Sequence, residues 1–377
     1  MSKIYLPHSE QFDLMNENLA KIANALASDI DLSTWAGIQK AVRVGVAPNL
    51  IPVGTQLAVD HSVYGTHLYD VVAHNHFKSA HDENAHTMTL MCHDTIAYLP
   101  FDSKEAFYYA DKELPAGTYN FTLATAYESW AAGTYQFTLT NPVKAGGQLG
   151  IGTNAEYALT QSKVLVYDSQ ISSVVTEQAT IRTGDGGTSL GTFGVELNHV
   201  HRVSYGSNNY KESFVRQVLN SSAEAGKVWQ AQTKFDRPRD GESSLAGFLN
   251  GLDGEFLAVI GEVIVPCSAN NTYESPDSTT VKGGKYTVTD KFYLASQKEI
   301  LGTSVETTGD DSVLLPYYEN ATNADRIKYR DGVAEVWWGR SPTSWHAGSN
   351  RVVYGDGSLG NYYVANYHEF VPVCNIV

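Results

Sequence analysis

Residues 337–374 read WWGRSPTSWHAGSNRVVYGDGSLGNYYVANYHEFVPVC. The stretch holds no helical periodicity, and its Gly, Ser, Asn and aromatic residues predict short strands and loops. Asp356-Gly357 is a strong hairpin turn. Trp337, Trp338, Val371 and Val373 have the makings of a β core. Trp345, Tyr362, Tyr363, Tyr367 and His368 have few aliphatic neighbours and many Gly and Asn around them. Rigid rings supply contact area and small polar side chains supply hydrogen bonds, which is the chemistry of an adaptable recognition surface. The expectation is a β-built end that displays its aromatics outward.

Upstream, Ala116-Gly117-Thr118-Tyr119-Asn120-Phe121-Thr122-Leu123 and Ala132-Gly133-Thr134-Tyr135-Gln136-Phe137-Thr138-Leu139 are near-copies. Each alternates with period 2, so both are expected as strands of one antiparallel sheet. Further β signals lie at 53–59, 67–72, 87–91, 146–151, 163–167 and 287–294. Residues 9–27 contain no Gly or Pro, and Phe12, Met15, Leu19, Ile22 and Leu26 fall on a heptad seam behind a Ser9 cap. That seam suits either a coiled coil or a helix packed on its own domain. A second helix is expected from Ser33 or Thr34 to Arg43, stopped at Gly45. Shorter helices are expected at 103–111, 208–219, 245–252, 254–259 and 325–329.

The chain has 377 residues and a mass of 41.2 kDa, enough for more than one core. Lys and Arg number 26 and Asp and Glu 41, for a net charge of −15. Such a field repels a phosphate backbone and an anionic bilayer, so neither nucleic acid nor membrane insertion is expected. The longest uncharged apolar run lies near 257–260, far short of the roughly 20 residues a spanning helix needs. No basic region followed by an apolar stretch opens the chain, so no signal peptide is expected. Three scattered cysteines, Cys92, Cys267 and Cys374, predict reduced structural thiols and synthesis in a cytosol.

Seven of the 12 histidines lie between His61 and His93. His74 and His76 would share one strand face and are the candidate metal ligands, within one chain or gathered by a symmetric trimer. No cysteine or carboxylate stands at ligand spacing, and neither zinc-protease motif is present. There is no nucleophile elbow, phosphate loop or dinucleotide fingerprint. Asp310-Asp311 and Glu319 could supply a carboxylate pair for glycoside hydrolysis. The balance points to a protein that is not an enzyme and needs no cofactor.

Several segments resemble one family. They are Asn208-Asn209-Tyr210 with Val215-Arg216-Gln217-Val218-Leu219-Asn220-Ser221, then Asp290-Lys291-Phe292-Tyr293-Leu294-Ala295-Ser296 with Glu299-Ile300-Leu301-Gly302. Arg326-Ile327-Lys328-Tyr329, Trp338-Gly339-Arg340-Ser341-Pro342 and Asp356-Gly357-Ser358-Leu359 complete the set. They are similar to phage and prophage proteins built on the C-type lectin-like fold, which is also the fold of formylglycine-generating enzymes. Gly339 stands where that family usually has Leu. The resemblance covers residues 46–102 and 195–377. It implies an α+β architecture: a C-type lectin-like domain from those two segments, a β-rich insertion at 103–194, and an N-terminal helical attachment or oligomerisation segment at 1–45. The oxidase activity of the sulfatase-modifying members is not implied, because no reactive cysteine pair is present.

Some members resemble the variable proteins of diversity-generating retroelements. That likeness implies a ligand-binding, variable-type surface at Thr343, Trp345, His346, Ser349, Asn350, Tyr354, Tyr362, Tyr363, Asn366, Tyr367 and His368. Arg340, Ser341, Pro342, Asp356, Gly357, Leu359 and Pro372 would be its framework. The implied role is a phage virion protein, made in the bacterial host cytoplasm, that binds a host cell-surface glycan or protein. Its other partners would be virion proteins and copies of itself, with a homo-oligomer, a trimer foremost, expected. The alternatives are a decoration or cement protein of head or tail and, behind it, a tail-borne glycan hydrolase.

Overall fold

A computed structural model describes residues 30–102, 106–110, 112–126, 131–139, 141–142, 148–151, 164–167, 180–182, 189–197, 200–204, 208–230, 244–268, 285–303, 312–343 and 349–377. The heptad seam at 9–27 lies outside them, as do Trp345, His346, Asp310 and Asp311. The described chain is mixed and β-rich, with several sheets and short helices.

The helix Trp35–Arg43 starts where the Thr34 hydroxyl accepts from the Gly37 amide at 3.1 Å. Ile38, Ala41 and Val42 are buried, and the Trp35 ring lies 4.6 Å from that of Phe256. Gly45 follows with φ 76°, and a Cβ there would meet the His86 ring at 2.7 Å. The left-handed backbone is what favours glycine there, since the exposed His86 ring can move aside.

A five-stranded sheet forms the centre. Its order is Gln56–His61, Gly65–His74, Met88–Cys92, Val373–Ile376, Phe292–Tyr293. Every residue of Met88–Cys92 and of Val373–Ile376 is buried, as expected of strands covered on both faces. Asn375 ties three strands together: its Oδ1 accepts from Thr89 Oγ1 at 2.8 Å and its Nδ2 donates to the Tyr293 hydroxyl at 2.7 Å.

A second five-stranded sheet has the order Leu359–Tyr363, Ser349–Val353, Trp337–Pro342, Tyr367–Glu369, Tyr98–Pro100. Both sheets thus combine strands from 46–102 with strands from the C-terminal residues. The Asp356-Gly357 turn closes the hairpin as the sequence predicts. Gly357 has φ 76° and its amide donates to the Tyr354 carbonyl at 2.8 Å.

The near-copies pair along their whole length, from Gly117 opposite Leu139 to Leu123 opposite Gly133. The polar face carries Thr118–Thr138 and Thr122–Thr134 hydroxyl pairs at 3.1 and 3.0 Å. The repeat extends to a detail: the Tyr119 and Tyr135 hydroxyls each donate to the carbonyl four residues upstream, on Pro115 and Ala131.

Several local expectations need correction. Within the segment expected as a helix at 103–111, the described residues Ala106–Ala110 form a strand between Val200–Ser204 and Gln148–Ile151. Its Phe-Tyr-Tyr run has the aromatic β preference, and sheet pairing decides between the two periods. The expected helix at 208–219 breaks at Ser213, whose hydroxyl caps Phe214–Leu219 by accepting from the Arg216 amide. Only a short 3-10 turn, Ala324–Arg326, forms in the segment expected as a helix at 325–329, and the strand Lys328–Arg330 follows. The single strand expected at 287–294 is two, Lys285–Asp290 and Phe292–Tyr293, in different sheets.

Candidate functional site

Cross-strand partners share a face, so the register of the C-terminal sheet sorts its side chains. Tyr98, Trp337, Tyr363, Tyr367 and Glu369 fall on one face. Leu99, Trp338, Asn350, Tyr362 and His368 fall on the other. Tyr363 and Tyr367 are 47% and 49% exposed. They flank a tight turn in which the exposed Asn366 donates its amide to the Tyr363 carbonyl at 2.9 Å.

On the other face a half-buried stack forms. The Tyr362 ring lies 4.2 Å from His368 and 5.7 Å from Tyr354, and His368 stands edge-on to Trp338 at 5.0 Å. Among the described residues, His368 Nε2 has no hydrogen-bond partner. Burial pushes the imidazole down to about 4, so it is neutral at pH 7.

Three of the expected surface positions are corrected. Thr343, Ser349 and Asn350 are buried, because they fasten strands instead of facing solvent. The Thr343 hydroxyl donates to the Ser349 carbonyl at 2.9 Å, and Asn208 Nδ2 reaches that same carbonyl at 2.7 Å. Asn350 Nδ2 donates to the Gly339 carbonyl at 2.7 Å. The shared strand face expected for His74 and His76 is also corrected. Asn75, at φ 53°, ends the strand between them. His74 Nε2 bonds the Ile51 carbonyl at 3.0 Å, whereas His76 packs on Phe77. No group of three or more His, Cys, Asp or Glu among the described residues is placed to hold a metal ion. Glu319 is exposed.

The framework position Arg340 is the most heavily bonded side chain of this end. Nε donates to the Pro266 carbonyl, Nη1 to the Leu294 carbonyl and Glu299 Oε2, and Nη2 to Glu299 Oε1 and Ser312 Oγ. All five guanidinium donors are used, as a buried arginine requires. Burial alone would raise the Glu299 carboxyl; Arg340 more than reverses this and holds it below the usual range.

Residues 161–377 match the family described as a domain of unknown function (DUF6273). The chain belongs to this family. No curated protein and no solved structure matches the chain. The DUF6273 segment contains the Arg340–Glu299 pair, four of the five strands of the C-terminal sheet, and every surface residue expected from the sequence.

It also contains most of a cluster that sequence reasoning missed. Asp331 and Gly332, at φ 52° and 79°, join Lys328–Arg330 to Val333–Glu335 in a two-residue hairpin. Asp-Gly between two short runs signals such a turn. Arg330 lies over the Tyr98 ring at 4.0 Å and ion-pairs with the fully buried Glu369 at 2.7 Å. The Tyr98 hydroxyl donates to Glu335 at 2.9 Å. Burial pushes the Glu369 carboxyl up to about 7 although Arg330 pulls it down. Away from this end, clefts of about 530 and 570 Å³ share Glu262 as a wall. Arg216 and Asp290 line the first, Arg43 and His86 the second, and none of the candidate ligand-binding or metal-ligating residues lines either. No described helix is long and apolar enough to cross a membrane.

Proposed function

We propose that the chain is a phage or prophage virion protein whose lectin-like C-terminal body grips a host cell-surface receptor. The observation that carries this reading is the pair of exposed rings, Tyr363 and Tyr367, mounted with Asn366 on a turn of a well-buried sheet. Rings held on a stiff support lose little entropy on binding, and a flanking amide adds hydrogen bonds. The C-type lectin-like reading is supported by the buried framework, in which Arg340, Ser341, Gly357 and Pro372 are all sequestered. Copies of the chain, assembled as a homo-oligomer on the virion, would multiply weak contacts into avidity.

Replacing Tyr363 and Tyr367 together by Ala tests this. At about 2 kcal/mol for each central aromatic, binding per site falls by two to three orders of magnitude. Virion adsorption is lost while assembly and the melting temperature hold. Unchanged adsorption would place the receptor site elsewhere. Imaging that shows both rings covered by other virion proteins would make the chain a cement protein instead.

A further inference from the structure

The helix Phe214–Leu219 buries Phe214, Val215, Val218 and Leu219 and leaves Arg216 and Gln217 at its surface. Its C-cap, Asn220, fastens that surface to the start of the next wall. Asn220 Oδ1 accepts from the Lys291 and Phe292 amides at 2.9 and 3.1 Å, and Nδ2 donates to the Phe292 carbonyl at 2.8 Å. Two of the segments that carry the resemblance, 215–221 and 290–296, thereby meet at the cleft of about 530 Å³. That volume lies within the ~300–1,000 Å³ of small-molecule sites. The recognition reading leaves this cleft unused, since none of its described lining residues belongs to the C-terminal sheet.

The walls hold polar groups in fixed positions with bonding capacity to spare. Arg216 donates from Nε and Nη2 to the buried Asp290 carboxylate, and from Nη1 to the Lys211 carbonyl at 3.0 Å. One N–H on each Nη is left without an acceptor among the described residues. Gln217 Oε1 accepts from the Gln230 amide at 2.7 Å, which orients the side chain and leaves its Nε2 unspent. Glu262 spends Oε2 on His81 at 3.1 Å and keeps Oε1. A ligand that meets groups already held in place loses less entropy on binding.

Charge and polarity decide what fits. Among the described lining residues, the cations Arg216 and Lys291 are matched by the carboxylates Asp290 and Glu262. The cleft therefore has no net charge with which to select an anion or a cation. Its aliphatic lining is confined to Ala223, Val228 and Leu249, and no aromatic side chain lines it among the described residues. An apolar ligand would gain little there. The complement is a neutral molecule dense in groups that both donate and accept. We propose that this cleft binds a neutral, hydroxyl-rich mono- or disaccharide. Adjacent hydroxyls of a sugar ring present two oxygens to the guanidinium edge in the bidentate manner, and a neighbouring hydroxyl gives its proton to Glu262 Oε1. The site is separate from Tyr363 and Tyr367 and does not rest on the receptor reading.

Saturation-transfer NMR on the full chain tests the site with lactose, cellobiose and N,N′-diacetylchitobiose, each titrated into the millimolar range. Glucuronate and glucosamine are the charged comparisons. At least one neutral disaccharide should bind saturably and more tightly than either charged sugar. Lys291→Ala and Gln217→Ala, neither of them buried positions, should each weaken it about three- to ten-fold, the loss of one hydrogen bond. Ser222→Trp, at an exposed position, fills the cleft and should abolish binding without removing a bonded side chain. The Tyr363 and Tyr367 double variant should bind as the native chain does. No saturable binding by any of the three disaccharides overturns the site, as does binding that survives Ser222→Trp. A stronger response to glucuronate or glucosamine overturns the neutral class. Saccharide binding lost only in the tyrosine variant places the sugar on the C-terminal sheet and overturns the cleft. Adsorption of the tyrosine variant reads the receptor proposal separately, so the two ideas fail in different proteins.

Discussion

Arg340 and Glu299 form a buried pair in which every guanidinium donor has an acceptor. Removing one partner leaves an uncompensated buried charge, which costs about 3–5 kcal/mol. Arg340→Met should therefore lower the unfolding free energy by that amount in chemical denaturation, and adding Glu299→Leu should recover much of it. Two neighbouring residues titrate in opposite senses. Glu369 is raised from 4.5 to about 7, so its contribution to stability is complete below pH 4.5 and is lost as pH rises through 7. His368 is lowered from 6.5 to about 4, so its contribution is complete above pH 6.5 and is lost as pH falls through 4. Between pH 4.5 and 6.5 the two slopes offset each other. Relative to the native chain, Glu369→Gln should gain stability as pH rises through 7, by up to roughly 3 kcal/mol. His368→Phe should gain as pH falls through 4. Thermal melts across pH 4–8 check both signs, and matching slopes in all three proteins would show that neither group titrates as described.

Two Asp-Gly turns illustrate the element scale. Both Gly332 and Gly357 are left-handed, at φ 79° and 76°. Nothing lies near a Cβ at Gly332, whereas one at Gly357 would run into the Asn323 carbonyl. Gly332→Ala should therefore cost only the backbone strain, about 1 kcal/mol. Gly357→Ala should cost visibly more, because backbone must also shift. The comparison needs only two melting temperatures, and equal losses would mean that the Asn323 contact yields freely. The Asp356-Gly357 hairpin was legible because turn chemistry is local. The Asp331-Gly332 hairpin carried the same signal but sat behind a segment read as helical. The same locality explains the error at 106–110, where short aromatic runs suit either period until a partner strand is present.

At the scale of the whole molecule, the strand Val373–Ile376 lies between Met88–Cys92 and Phe292–Tyr293. All three cysteines are buried thiols. Burial pushes Cys92 up to about 12, so it holds no thiolate at neutral pH. Thiol reagents should modify none of the three in the native chain and all of them in denaturant. Rapid native labelling of Cys92 or Cys374 would mean that the central sheet opens readily.

The sequence by itself determined the β-rich character, the paired near-copies, the Asp356-Gly357 hairpin, the helix that ends at Arg43 and the burial of Trp337, Trp338, Val371 and Val373. Each follows from neighbours in the chain: alternation, turn residues, caps and hydrophobicity. It also marked Tyr363, Asn366 and Tyr367, which the fold leaves exposed. Only the tertiary structure decided that Thr343, Ser349 and Asn350 fasten strands, that His74 and His76 part company, and that Arg330 meets Glu369 and Tyr98. Those outcomes depend on residues dozens to hundreds of positions apart, whose meeting is set by which strands pair, and no local pattern records that choice.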